Sequence, residues 1–246
     1  VLNNFTAFSC INSTMQRPIQ TYTDNFGQTM EFSIPAPHSK ICINISGGAD
    51  SAILLYMLIR YCRQYVSKAE IHIITSANPI KGWKNAKWGA TVVDKILQIF
   101  KNTTLIKSHY TFYSDDQRRS ELDETEKMIK ERTGITFTIH GTTQNPPLEV
   151  SKTFGLEQFK GRDPGHGRTN MSTGYHVHAR YMPFMNVDKR MVAHLFKQFN
   201  MLEDLLPFTR SCEWHNSNTF DAPDPGDSHC GECWWCKERE WAFGRL

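Results

Sequence analysis

Apolar and polar positions in this chain fall into short blocks whose period switches between two and about 3.6. Residues 29–34 (Thr-Met-Glu-Phe-Ser-Ile) alternate, which predicts a strand. Residues 41–45 (Ile-Cys-Ile-Asn-Ile) form a short apolar run that predicts the first buried strand, and residues 51–65 predict the first helix. Residues 70–76 read as a second buried strand. Ala86, Ala90, Val93, Ile96, Leu97 and Phe100 then recur at helical spacing within residues 85–100. A strand over 104–113, a charged helix over 121–132, a strand over 135–140 and a helix over 188–199 complete the pattern. Asn186 or Asp188 is the expected cap of that last helix.

Strands alternating with helices at this spacing predict an α/β fold with a doubly wound, mainly parallel sheet. Ligands of such sheets sit at the carboxyl ends of the strands. The loops after Ile45, Ser76, Tyr113 and His140 are therefore expected to line one crevice. Residues 150–181 carry five glycines together with Arg162, Asp163, His166, Arg168, His176, His178 and Arg180, and read as one long functional loop. Three segments follow: an N-terminal extension at 1–38, a main α/β domain at 39–205 and a small C-terminal segment at 206–246.

Composition narrows the function classes. A chain of 246 residues with 39% hydrophobic content supports one large domain with a full core. A net charge of +3 suits anionic small molecules and is too weak to argue for nucleic acid. There is no run of 18 apolar residues and no basic-then-apolar leader, which predicts a cytoplasmic protein without a membrane span.

The most informative string is Ser46-Gly47-Gly48-Ala49-Asp50-Ser51, between the first strand and the first helix. Two glycines let the backbone approach a ligand, and the N–H groups opening a helix point at an anion. Ser46 and Ser51 add hydroxyl donors, and Asp50 is placed to order the loop or face a metal. No Gly-Lys dipeptide exists, so this is not the Walker A form of a phosphate loop.

Four of the seven cysteines crowd the C-terminal end. Cys230, Cys233 and Cys236 are spaced by two residues, and Cys212 stands upstream. Four thiolates suit a tetrahedral zinc with no open position, hence a structural one. An iron–sulfur cluster is the rival; the chain shows no redox partner motif. His215 or His229 could replace one thiolate. Cys10, Cys42 and Cys62 are expected to pack as small hydrophobes.

The Ser-Gly-Gly-x-Asp-Ser string resembles the pyrophosphate loop of the N-type ATP pyrophosphatases, the PP-loop enzymes. The tail Cys230-Gly231-Glu232-Cys233-Trp234-Trp235-Cys236-Lys237-Glu238-Arg239 resembles the C-terminus of the 7-cyano-7-deazaguanine synthases within that superfamily. Thr209-Arg210-Ser211-Cys212 and the stretch from Pro183 to Lys189 are similar to two further family segments. The chain departs from the family in its long N-terminal extension. It also lacks a Tyr-Pro-Asp-Cys-like segment, and it has Lys189-Arg190-Met191 where the family carries Lys-x-Glu.

The resemblance implies an adenine nucleotide alpha hydrolase-like fold that binds ATP, Mg²⁺ and one structural Zn²⁺. It implies adenylation of 7-carboxy-7-deazaguanine and attack by ammonia to give an amide and then a nitrile, with no nucleic acid required and a possible homodimer. Ser46, Gly47, Gly48, Ala49, Asp50 and Ser51 are then the nucleotide-binding residues. Asp50, Ser51 and Lys189 carry the chemistry, and Cys212, Cys230, Cys233 and Cys236 hold the zinc. Further candidates are Arg190, Arg180 and His178, His140 at the crevice, and Trp83 and Lys84 after the second strand. Asp115 and Asp116 read as a helix cap region, Arg118 and Arg119 as a solvated face, and Trp234 and Trp235 as packing for the knuckle. Two other readings remain open: a PP-loop enzyme amidating or thiolating another substrate (tRNA, DNA or a protein-linked base), and a zinc-knuckle module binding nucleic acid.

Overall fold

The computed structural model describes residues 17–77, 84–113, 120–135, 137–154, 162, 171–173, 179–212 and 228–246. Eight strands and six α-helices lie in this part of the chain. They are β1 (Gln20–Thr23), β2 (Thr29–Phe32), β3 (Lys40–Asn44), α1 (Ala49–Tyr65), β4 (Glu70–Ala77), α2 (Lys84–Ile99), β5 (Ile106–Tyr113) and α3 (Ser120–Thr133). Then come β6 (Phe137–Ile139), α4 (Leu148–Thr153), β7 (Met171–Thr173), β8 (Ala179–Tyr181), α5 (Lys189–Gln198) and α6 (Trp234–Phe243). Candidates at Cys10, Trp83, Asp115, Asp116, Arg118, Arg119, His178 and His215 fall outside the described residues.

Six strands form one sheet in the order β5-β4-β3-β6-β8-β7, and only β7 runs antiparallel. The expected doubly wound α/β class stands. From β3 the chain moves outward to β4 and β5, then returns to place β6 on the other side of β3. The strand order therefore reverses between β3 and β6, and their carboxyl ends open a crevice there.

Alternation along the strands assigns the two faces. Ile41, Ile43, Ile71 and Ile73 join the main core with α1, α2 and α5. Cys42 and Ile74 point the other way and meet Ile129 of α3. Helix α1 is buried almost all round from Ala49 to Cys62 because it lies between α2 and α5 as well as on the sheet. Cys42 and Cys62 are buried thiols, and burial pushes Cys62 up to about 12, as inert packing residues require.

Two expectations change in detail. Within the stretch read as one long loop, the structure has α4, β7 and β8, and β8 is a parallel strand of the main sheet. Three residues are too few to show alternation, so β8 gains its strand form from pairing with β6. The described part of the N-terminal segment is also integral to the core. The β1–β2 hairpin and the residues after it bury Met30, Phe32 and Ile34, and Glu31 O accepts a 2.6 Å bond from Tyr181 Oη. At its turn, the Gln28 side chain bonds Asp188, which in turn caps α5 by accepting from Arg190 N at 2.9 Å.

Candidate functional site

The Ser46–Ser51 loop leaves β3 at the switch point and turns directly into α1. Ser46 N donates to Ser51 Oγ at 3.3 Å, Ser51 Oγ to Gly48 O at 3.1 Å, and Gly48 N to Ser46 Oγ at 3.4 Å. The hydroxyls thus hold the loop in shape. Gly47 sits at φ +85°, and a Cβ there would stand 2.5 Å from Trp88 Cβ and 2.9 Å from Trp88 C. The backbone of α2 therefore presses on the loop as only glycine allows. From the other side, Arg210 N donates to Gly47 O at 2.7 Å. The loop after β6 closes in as well, since a Cβ on Gly141 would meet Asp50 C at 3.1 Å.

Helix α2 can come so close because Gly89 packs on Thr75, where an added Cβ would meet Oγ1 at 2.5 Å. Thr75 Oγ1 donates to Ile45 O at 2.8 Å and so accepts from Nε2 of His109, also at 2.8 Å. Burial lowers the His109 pKa and keeps the ring neutral in that tautomer.

Charge is concentrated in a buried row. Lys189 Nζ bonds both oxygens of Asp50, at 2.7 and 2.6 Å, and lies 3.8 Å from Glu238 Oε2. The other oxygen of Glu238 accepts from Arg162 Nη2 at 2.5 Å. Lys189 and Glu238 are 3% and 0% exposed, so neither charge is solvated and each depends on its partners. Burial raises the Glu238 pKa, opposed by the positive charges of Lys189 and Arg162. Asp50 faces a cleft of about 210 Å³ with Ser46, Gly48, Asn85, Trp88, Thr142, Thr143, Lys189 and Arg210 among its walls. Four polar atoms on cleft-lining residues are buried without a hydrogen-bond partner among the described residues: Asn85 Oδ1, Trp88 Nε1, Arg162 Nη1 and Ser211 Oγ. Such a concentration marks a polar ligand's place.

The four cysteines come together as expected. The sulfurs of Cys212, Cys230, Cys233 and Cys236 all lie within 4.8 Å of one another, with Cys230 and Cys236 at 3.8 Å. Two of them, Cys212 and Cys236, resist ionisation as neutral thiols. The bond to Cys233 is the largest cause lifting Cys212 to about 12, and Cys236 moves the same way through Cys212 and Cys233. A cation in their midst reverses this, because the thiolate is the ligand form. His229 stays beside the cluster, Nδ1 3.6 Å from Cys236 Sγ. Burial first, then the charges of Arg239 and Arg210, lowers its pKa to about 4.

The cluster is joined to the loop rather than remote from it. Cys212 itself lines the cleft two residues beyond Arg210. Arg239, three residues after Cys236, bonds Thr209 Oγ1 at 2.8 Å and Leu206 O at 3.1 Å, pinning the segment that holds Gly47.

Several candidates lie elsewhere. Arg190 is engaged by Asp188, Phe26 and Trp241, and is not among the cleft residues. His140 and Arg180 are half-buried and also do not line the cleft. Trp234 packs edge-on against Phe154 as knuckle packing should, but Trp235 lines the cleft. Sequence reasoning misses the roles of Trp88, Arg162 and Glu238. The one available signal is in the tail, where an acid and a base, Glu238 and Arg239, follow closely on the metal-ligand candidate Cys236.

The class defined here is a doubly wound α/β domain with a Gly-rich strand-to-helix loop at its switch point and a four-cysteine cluster beside it. No protein-family model matches the chain, and no curated protein matches it. Among solved structures, it is similar to the U34-tRNA thiolase NcsA from Methanococcus maripaludis with its [4Fe-4S] cluster. That match has TM-score 0.41 and 12% identity, and covers 70% of this chain and 62% of the thiolase. It is similar to the NMN synthetase from Francisella tularensis (TM-score 0.42, 10% identity, 85% of this chain and 79% of that one). The NH3-dependent NAD synthetase from Campylobacter jejuni, in complex with nitrate, gives TM-score 0.37 at 10% identity over 70% and 69%. All three scores are below 0.5, and the activities belong to those proteins. No helix among the described residues is long and apolar enough to cross a membrane.

Proposed function

We propose that this protein is an ATP-dependent ligase of the PP-loop kind that adenylates a carboxylate and releases pyrophosphate. The observation that carries the reading is the cradle: Gly47 at φ +85° wedged between Trp88 and Arg210, opening α1 beside Asp50 and Lys189. Pyrophosphate gains negative charge as it leaves, and fixed donors stabilise that charge without reorganising. The N–H groups at Gly47 and Gly48 and the hydroxyl of Ser46 serve as those donors, while Ser51 Oγ, bonded to Gly48 O, holds the loop in shape behind them. Asp50, a carboxylate on the cleft wall, fits a hard divalent cation, and Mg²⁺ held there would screen the phosphates. Lys189, bonded to Asp50 at the cleft, would contact the acyl-phosphate.

The acid most consistent with the sequence resemblance is 7-carboxy-7-deazaguanine. Its carboxylate oxygen attacks the α-phosphorus of ATP, giving the acyl-adenylate and pyrophosphate. Ammonia then displaces AMP to give the amide. A second ATP activates the amide oxygen, and loss of AMP and a proton gives the nitrile.

For the cysteines, we infer a single structural zinc. A tetrahedron with Zn–S of about 2.3 Å has edges of about 3.8 Å, and Cys230 and Cys236 stand at that separation. Four thiolates holding four irons at the corners of a cluster would stand further apart. A thiolating enzyme with an iron–sulfur centre is the second reading, because Cys212 opens onto the cleft.

The test is a mass-resolved turnover assay with ATP, Mg²⁺, ammonium and 7-carboxy-7-deazaguanine, following AMP, pyrophosphate and the deazaguanine mass. AMP in step with amide or nitrile supports the reading, and Asp50→Asn should lower AMP release by a factor on the order of a hundred, as loss of a group that stabilises transition-state charge does. AMP formation unaffected by Asp50→Asn, or ATP cleaved to ADP, sinks it.

A further inference from the structure

One arginine on the cleft wall is fixed far more firmly than packing requires. Arg162 is 7% exposed. Its Nε donates to Thr143 O at 3.0 Å, and Nη2 donates to Thr143 Oγ1, Gln144 O and Glu238 Oε1 at 2.6, 2.8 and 2.5 Å. The guanidinium lies 4.9 and 5.3 Å from the ring centroids of Trp234 and Trp235. Nη1 is buried and bonds nothing among the described residues. A buried donor left without an acceptor is destabilising, so an oxygen brought by a ligand is its natural complement.

The unpartnered atoms of the cleft sort into groups. Asn85 and Trp88 stand on α2 next to Gly47, at the phosphate cradle. Arg162 is tied instead to the loop after β6 and to α6, with Glu238 and Lys189 between it and Asp50. Glu238 already balances its charge, so Nη1 suits one carboxylate or acyl oxygen rather than a polyphosphate. Trp235 lines the same wall, edge-on to Trp234 and beside the Arg162 guanidinium.

We propose that Arg162 and Trp235 form the second-substrate subsite, where Arg162 Nη1 binds an anionic oxygen of a planar aromatic carboxylate. This rests on the ATP-ligase reading for the role of that acid, and the same anion chemistry could come from an ATP phosphate. Calorimetric titration separates the two. Wild type, Arg162→Gln and Thr143→Val are each titrated with Mg·ATP, with 7-carboxy-7-deazaguanine and indole-3-carboxylate, and with the matching neutral carboxamides.

A hydrogen bond to a charged group is worth about 1.5–3 kcal/mol, roughly ten- to hundredfold. Arg162→Gln should weaken the carboxylates by that factor and abolish their advantage over the carboxamides. Mg·ATP affinity should stay within about twofold. Thr143→Val, which frees the guanidinium but keeps it, should give a smaller loss of the same kind, and it decides the matter if Arg162→Gln does not fold. Loss of Mg·ATP affinity alone assigns Nη1 to a phosphate and overturns the proposal. Equal losses, or none, make Arg162 a structural brace and overturn it too. Wild type binding Mg·ATP but no carboxylate removes the subsite and leaves the ligase reading. Arg162-dependent carboxylate binding without Mg·ATP binding does the reverse.

Discussion

Replacing Gly47 by alanine should disable the protein, and three glycines let the cost be divided. At Gly27, φ is +78° and nothing lies within 4 Å of an added Cβ, so Gly27→Ala measures the backbone penalty alone. The left-handed conformation costs a residue with a Cβ about 1–2 kcal/mol. Gly48 has ordinary backbone (φ −78°), and its Cβ would meet Ser46 Oγ at 3.4 Å and Arg210 O at 3.5 Å. Gly48→Ala should therefore change stability by less than about 1 kcal/mol, since those are ordinary contacts. Gly47 carries both burdens: φ +85° and atoms of Trp88 at 2.5 and 2.9 Å. These are the Cβ and carbonyl carbon of Trp88, so Trp88→Ala cannot relieve the clash and α2 must shift. Overpacking adds about 1–3 kcal/mol, for a total of about 2–5 kcal/mol. At about 2–4 °C per kcal/mol for a chain of this size, Gly47→Ala should lower Tm by roughly 5–20 °C. Differential scanning calorimetry of the three variants, with AMP release measured in parallel, is the assay. Gly47→Ala melting within about 2 °C of Gly27→Ala, less than 1 kcal/mol of difference, would refute the packing argument, and full AMP release would refute the cradle.

His109 titrates below its ordinary value in the folded protein because burial disfavours the imidazolium, so the unfolded chain takes up its proton first. Its contribution is present above about pH 6.5 and is lost as pH falls through that value. Wild-type Tm should therefore fall as pH drops below about 6.5, and His109→Gln should flatten part of that slope. Cys233→Ser should remove one equivalent of metal by plasma mass spectrometry and lower Tm. Zinc at one per chain is expected in wild type, whereas iron with a brown charge-transfer absorbance would favour the thiolating reading.

Legibility in the sequence follows the range of the interactions. The Ser46–Ser51 loop is local, a strand end and a helix start joined by six residues, and its place in the fold can be read from adjacent letters. The cysteines are readable because two-residue spacings are a property of the ligand geometry. By contrast, Arg162 meets Glu238 across 76 positions and Lys189 meets Asp50 across 139. Nothing in either neighbourhood announces the other. Trp88 acts through its Cβ and backbone, so its identity as tryptophan carries no hint that it confines Gly47. The hairpin at β1–β2 is readable as a strand but not as core, because its burial depends on Tyr61 and Tyr181 coming to meet Phe32.

Within four residues, α6 presents Cys236 to the four-cysteine cluster, Glu238 to Lys189 and Arg239 to the segment that holds Gly47. With a metal at one end of such a helix and a nucleotide at the other, as proposed above, affinity at one would depend on occupancy of the other. If filling the cysteines tightens nucleotide binding by some factor, nucleotide must tighten metal binding by that same factor. The metal content of the purified protein then records how much nucleotide accompanied it. A cell short of the metal would lose the activity gradually, last of all in those molecules whose nucleotide site is filled.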